Sequence, residues 1–435
     1  MQKQQKEFIT TEPTSLKAIE LLYTFSVRMY GLALRLAAPF HEKARKWVRG
    51  RRNWEQQLRA QIDPAHPWIW FHCASLGEFE QGRNLIEQLR TRHSRFRILL
   101  TFFSPSGYEI RKNSAHGGSV CYLPLDTPAH ARRFLDIVQP RLVVFVKYEL
   151  WLHYLGEIAA RQIPFALVAA RVRPESAFFR SIFRSLYRRA FEKMTHIFTQ
   201  DAASQTLIRD FSGNARITVS SDTRYDRVQS NRAGFEEIPA IRRFKGGRLC
   251  IIGGSTWPRD EELLLESYRQ LKPHHNLCLI LAPHEIHPER IDRWAARFPE
   301  ETLRFSQIDR LSDAHRILWI DNIGMLSRLY HYADIACIGG AWGTGLHNIL
   351  EAAVFGCPVI FGPDYKKFPE AAALIAAGGG FSIGSQQELA PLLEGLLSDG
   401  QRRAQIQRMN KTFIETRAGA TEMIMAWCEK VLAGV

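Results

Sequence analysis

The 435-residue sequence contains no C-x-x-C pair, and its seven cysteines (Cys73, Cys121, Cys250, Cys278, Cys337, Cys357 and Cys428) are odd in number and far apart. That spacing excludes a zinc ribbon or a disulfide framework and fits small core residues in a reducing compartment. No G-x-G-x-x-G follows an expected strand and no G-x-x-x-x-G-K-[ST] occurs, which removes the dinucleotide fingerprint and the P-loop. D-x-D is also missing, which argues against the metal-dependent sugar-nucleotide site built on that pair. Glycine (29) and proline (20) are scattered and no heptad run persists, so collagenous and coiled-coil classes fail. Nor is there a clean apolar run of spanning length. The longest apolar stretch, residues 16–40, is interrupted by Lys17, Glu20, Arg28 and Arg35.

What is present suits a folded protein of two or three domains, because 46% hydrophobic residues bury enough surface to offset ordering entropy. The formal charge of +14 favours anionic partners. Six of the basic residues (Lys43, Arg45, Lys46, Arg49, Arg51 and Arg52) fall in one ten-residue window directly after the apolar stretch. An amphipathic segment followed by a polybasic one suits a helix lying on an anionic cytoplasmic leaflet; a single span and a buried domain helix are the alternatives. No small-residue cleavage site follows, which disfavours a secretory signal. The basic cluster lacks the interleaved aromatics of a nucleic-acid module, so no nucleic-acid partner is expected.

From residue 68 onward short apolar strands alternate with helical patterns. WIWFHCA, FRILLTFF, RLVVFVKYELW, PFALVAA and HIFTQD read as strands, and residues 231–247 read as a connector. The alternation then restarts with RLCIIGGS, NLCLILAP, RILWID, DIACIGG and CPVIFGP. The fold class is therefore α/β, with two Rossmann-like parallel-sheet domains. The expected organisation is an N-terminal membrane-associating segment (1–55), a first domain (56–235), a second domain (236–410) and a C-terminal helix (411–435) able to cross back to the first. Ligands in such sheets bind beyond the carboxyl ends of strands, and here also in a cleft between the halves.

Three positions in the first half are candidates for chemistry. Glu78, in SLGEFEQG, opens a helix directly after a strand, where a general base would sit; the alternative is that it only complements the helix dipole. Glu149, in VKYELW, ends an apolar strand, either solvated at the rim or pointed into a site. Arg224, in SSDTRYDR, faces a phosphate or carboxylate, or is an ordinary surface arginine. In the second half GGAWGTGLHNILEAAVFG is a glycine-rich turn entering a helix, whose start at 345–349 would form an anion site, with Glu351 placed to accept from a ribose diol. IDNIGMLSRLY offers a similar turn for a base or phosphate. His284, Glu285 and His287 have the spacing H-E-x-H, one residue short of a zincin helix, so no metal site is expected.

These pieces in this order resemble one family, the 3-deoxy-D-manno-octulosonic acid (Kdo) transferases of lipopolysaccharide synthesis. The resemblance runs through HCASLGE, LPLDTP, YELW, GGST, HPER and DNIGMLSRLYHYADIACIGG to GLHNILEAAVFGCPVIFGP. It implies a GT-B fold with its active site between two Rossmann-like domains. It also implies metal-independent, inverting transfer of Kdo from CMP-Kdo to lipid A precursor at the cytoplasmic face of the inner membrane, without a cofactor. By motif, Glu78 matches the catalytic base, and Glu149 and Arg224 match the transition-state stabilisers, the family more often having lysine at the last. Nucleotide contacts carry over to Pro283 and His284, to Ile323, Gly324 and Met325, and to Asn348, Ile349, Leu350 and Glu351. The chain departs from the family in PHEIHPER, where P-R-H-P-E-R is common, so His284 replaces an arginine. Trp257 stands for the histidine of GSTH, and Met325 for a frequent glutamate. Another GT-B transferase or a sugar-nucleotide epimerase is the nearest alternative, since the fold hosts both.

Overall fold

The computed structural model describes residues 13–113 and 118–434, so the first twelve residues of the expected N-terminal segment lie outside the described residues. The chain divides into two units: the sequence up to Asp226 together with Gly419 onward, and Arg227–Ala418.

In the first unit the apolar runs become strands β1 (Trp68–Cys73), β2 (Arg97–Phe102), β3 (Ser119–Tyr122), β4 (Leu142–Val146), β5 (Phe165–Ala170), β6 (His196–Thr199) and β7 (Ile217–Val219). They form one parallel sheet in the order β3-β2-β1-β4-β5-β6-β7. Its strands are apolar on both sides because both faces are covered. Trp70, Val143 and Phe145 enter one core, and Phe71, Val144 and Val146 the other. The second face is completed by the last helix, Ala420–Ala433, through Ile424, Met425, Cys428 and Leu432.

The second unit repeats the plan with β8 (Leu249–Thr256), β9 (Leu277–Pro283), β10 (Thr302–Arg304), β11 (Ile317–Trp319), β12 (Ile335–Ile338), β13 (Val359–Phe361) and β14 (Gly380–Ser382). Its parallel order is β10-β11-β9-β8-β12-β13-β14. The chain therefore has the two Rossmann-like parallel-sheet domains expected of it.

Several details differ from the expected layout. Residues 231–247 are not an open connector: helix Thr223–Ala233 runs into them, and Pro239–Lys245 forms a second helix that buries Ile241 and Phe244. Proline pre-sets the backbone angle of a first helical turn, which gives that helix its start. Helix Gly400–Glu415 is continuous through residue 411, and the chain leaves the second unit only at Gly419 (φ 110°), a turn open to glycine. The strands that escaped sequence reading, β3, β10 and β14, are all at sheet edges and three or four residues long. An edge strand has one neighbour and little buried length, so its apolar pattern is short.

Helix Pro13–Ala37 is held to the first unit by polar groups as well as apolar ones. Tyr23 donates its hydroxyl to Asp126 Oδ2 at 2.6 Å, and Asp126 also accepts from the His153 and Tyr154 amides at 3.2 and 3.1 Å. Burial pushes the Asp126 carboxyl up to about 6. Thr24 lies 2.9 Å from His153 Nε2. The opposite side of the helix leaves Leu21, Phe25 and Leu36 exposed, with Phe40 just beyond its end. No helix among the described residues is long and apolar enough to cross a membrane. The helix has the length, at about 1.5 Å per residue, but the charges at Glu20, Arg28 and Arg35 deny it the apolarity.

Removing the hydroxyl that satisfies Asp126 leaves a buried acceptor short of a donor. Tyr23→Phe is expected to lower the stability of the first unit by about 1–2 kcal/mol, read as an earlier urea midpoint; an unchanged midpoint would show that this contact does not hold the helix.

Candidate active site

In the first sheet the strand order reverses between β1 and β4, which are neighbours although their crossovers lead to opposite edges. Loops at such a point diverge and open a crevice beyond the strands' carboxyl ends. Glu78 and Glu149 stand on these two loops. Glu78 is the third residue of helix Leu76–Arg92, capped by Ser75, and its Oε2 accepts from the Ser75 amide at 3.2 Å and from the Ala74 amide. The capping alternative is thus real, yet the same carboxyl is pushed up to about 7. Burial is the main cause and the Glu149 charge adds to it, while the two amides and Lys147 pull the other way. A group titrating there is suited to accept a proton near neutrality.

Glu149 is oriented by residues that the sequence reading passed over. Trp151 donates its indole N–H to Glu149 Oε2 at 2.7 Å, and His72 Nε2 lies 3.2 Å from the same oxygen. His72 is fully buried in β1, with Nδ1 2.8 Å from Thr101 Oγ1, which also accepts from the Trp70 indole at 2.8 Å. The Trp151 indole also lies 3.1 Å from His72 Nε2, so Trp151, His72 and Glu149 form one hydrogen-bonded cluster. A histidine inside an otherwise apolar strand was the available signal. Lys147, at φ 64°, is a second one: a non-glycine residue held left-handed beside both acids.

Arg224 is not brought to this pair by its place in the sheet. It opens the helix after β7, three strands from β4, and donates Nε and Nη2 to Asp222 Oδ2 at 2.9 and 2.8 Å.

The second sheet reverses between β8 and β12, and the loops there are tied together. Trp257, after β8, donates its indole N–H to His347 Nε2 at 3.1 Å. His284, after β9, stacks on Trp257 with centroids 5.1 Å apart and lies 4.3 Å from the His347 ring. Burial, aided by the neighbouring His284, lowers His347 to about 4, so it is neutral near pH 7 with Nε2 accepting. Trp257 therefore serves as a donor to His347, a role the sequence departure did not suggest. Asp260 Oδ2 joins the same loops, accepting from the Trp257 and Gly340 amides at 2.9 and 3.2 Å. A Cβ at Gly339 would lie 2.4 Å from the Ser255 carbonyl oxygen, so only glycine lets these turns approach.

His284 and His287 go different ways: His287 pairs with Glu285 at the surface, 3.2 Å away. Pro283 ends β9, and Ile323 with Gly324 forms the tip of an outward loop, Ile323 being 94% exposed. Met325 is buried and receives the Asn322 amide on its sulfur. Asn348 donates to Glu351 Oε1 at 3.0 Å and accepts from the Leu350 amide at 3.2 Å. Ile349 and Leu350 have buried side chains, which leaves their backbone as the part a ligand can reach. The helix expected to start at 345–349 is a single turn, Leu350–Ala353. So short a helix aligns few peptide dipoles, and its Leu350 amide already has Asn348 as partner.

Residues 49–227 match the family described as 3-Deoxy-D-manno-octulosonic-acid transferase (kdotransferase). The 3-deoxy-D-manno-octulosonic acid transferase of Rickettsia felis is 30% identical, over 79% of this chain and 74% of that protein. The one from Rickettsia bellii is also 30% identical, over 77% and 80%, and that from Haemophilus influenzae 29%, over 83% and 86%. Among solved structures, the UDP-GlcNAc 2-epimerase of Neisseria meningitidis superposes with a TM-score of 0.58 at 12% identity, over 85% of this chain and 100% of that one, a likeness of fold. The sequence relatives carry more than the fold, and by them this chain belongs to the 3-deoxy-D-manno-octulosonic acid transferase family.

Proposed function

We propose that the protein transfers Kdo from CMP-Kdo to lipid A precursor with inversion, in lipopolysaccharide inner-core synthesis. The observation that carries this reading is the pair Glu78 and Glu149 at the β1/β4 reversal, the former raised to about 7 by burial and by its neighbour's charge. Family membership supplies the transferred sugar; the donor, the acceptor and the stereochemistry are our assignment. Glu78 takes the proton of an acceptor hydroxyl as that oxygen bonds to the anomeric carbon of Kdo. The bond from that carbon to the phosphate oxygen breaks, and CMP departs with the electron pair. One displacement inverts the anomeric centre.

Glu149, held by Trp151 and His72, stabilises positive charge developing at the sugar and keeps Glu78 basic. Arg224, oriented by Asp222, is assigned to negative charge on the donor. Loops of the second unit take the cytidylate: Pro283 and His284, the turn Ile323–Met325, and Asn348–Glu351, with Glu351 toward the ribose. Only one phosphate leaves with CMP, and the chain has no D-x-D pair, which supports a reaction without metal. We place the protein at the cytoplasmic face of the inner membrane, lying on it through Leu21, Phe25, Leu36 and Phe40 with the basic window 43–52 alongside.

Incubation with CMP-Kdo and tetraacylated lipid A precursor should add the mass of Kdo to the lipid, and Glu78→Gln should cut this by about 10²–10⁴-fold while CMP still binds; turnover at the wild-type rate in the variant rejects the base. Since Glu78 must be deprotonated to act, kcat/KM should rise with pH through about 7. Glu149→Gln removes the like charge, and the acidic limb of its residual activity should move to lower pH; a limb that stays in place uncouples the two acids. Leu36→Glu with Phe40→Glu should reduce sedimentation with anionic liposomes, whereas an unaltered bound fraction would place the membrane contact elsewhere.

A further inference from the structure

A cavity of about 1150 Å³ lies in the first unit, where helices Pro13–Ala37 and Glu42–Gly50 meet the loop after β3 and the start of helix Pro128–Val138. Six arginines line it: Arg28, Arg35, Arg45, Arg49, Arg51 and Arg52. None of the six is ion-paired with a carboxylate among the described residues, although many other arginines of the chain are.

Arg51 has a separate task. Its guanidinium lies 3.9 Å from the Trp47 ring centroid and donates to the carbonyls of Leu123, Phe103 and Trp47 at 2.8, 2.8 and 3.2 Å, which fixes the cavity wall. The other five are exposed and keep their donors available. Their field is felt locally: His130, on the cavity wall, is lowered first by burial and then by Arg133, Arg35 and Arg28. The wall between the arginines is apolar, formed by Leu32, Trp47, Val48, Trp54 and Leu125. So much unbalanced positive charge beside apolar surface fits a group that is both anionic and attached to hydrocarbon.

A chain of contacts within the same unit runs from the cavity wall to Glu149. Arg51 Nη2 holds the Phe103 carbonyl, the Phe103 ring packs on Trp151 with centroids 4.5 Å apart, and Trp151 donates to Glu149. We propose that this cavity is a phosphate subsite, receiving a phosphomonoester of the amphiphilic acceptor while its acyl part lies along the exposed apolar side of the first helix. Guanidinium forks match phosphate oxygens in pairs, and a doubly charged phosphate meets more of them than a carboxylate does. This assignment rests on the acceptor reading given above.

The test measures binding in detergent micelles without donor, using tetraacylated lipid A precursor and the same lipid stripped of its phosphates by a phosphatase. The wild-type protein should prefer the phosphorylated lipid by about tenfold or more, and Arg28→Gln/Arg35→Gln should reduce that preference to about twofold. Arg45→Gln/Arg49→Gln, on the other helix, should do the same and keeps the test readable if the first pair folds poorly. Equal weakening toward both lipids, an undiminished preference, or no preference in the wild type overturns the proposal. A defect confined to phosphatidylglycerol vesicles overturns it too, since the bulk headgroup would then be the occupant. Binding with the expected preference, but no Kdo transferred when CMP-Kdo is then added, would retain the subsite and reject the transferase reading instead.

Discussion

Two carboxylates that cannot both be comfortable when ionised stand at the carboxyl ends of neighbouring strands, and the chemistry of the first unit depends on how the fold tolerates them. Glu78 is the one allowed to rise. It has two backbone amides and Lys147 in its favour, but burial and Glu149 outweigh them and leave it near 7. Glu149 instead has the Trp151 indole as a donor and His72 against the same oxygen, the latter backed by Thr101 and Trp70 in the sheet interior. The asymmetry follows from the strands: β1 supplies His72 from below, and the helix that follows β1 supplies Glu78 from its cap.

The second unit solves a different problem at the same topological place. Its loops carry few charges of their own, and they are held by a neutral imidazole, an indole and a buried carboxylate that join the turns after β8 and β12. Trp257 and His284 act together: Trp257 stacks on His284 and bonds His347, which lies against His284, so the three rings form one unit. These bonds tie the two turns together at the reversal point, beyond the carboxyl ends of the strands.

The amphipathic first helix is kept on the first unit by a few buried polar contacts, chiefly Tyr23 with Asp126, which leaves most of its apolar residues outward. Directional bonds can fix a helix whose large side chains are turned away from the core, and that is the arrangement expected of a surface that meets lipid.

Sequence periodicity settled the strand-helix alternation and the two sheets, while Glu78, Glu149 and the HNILE turn were marked by their places at strand ends and by the family resemblance. Buried strands of a parallel sheet advertise themselves, since both faces must be apolar, whereas the edge strands β3, β10 and β14 were too short to do so. The glycine-rich turn before HNILE suggested a helix starting at 345–349; the helix is one turn, Leu350–Ala353. The approach of His72 to Glu149, the like charge that raises Glu78 and the Trp257–His347 bond join residues remote in the chain, whereas the six arginines lie within residues 28–52 and are gathered round one cavity by the packing of two helices. Proton affinity and side-chain direction are set by burial and by charges that only folding brings near, so the order of residues names the groups while the tertiary structure decides their state.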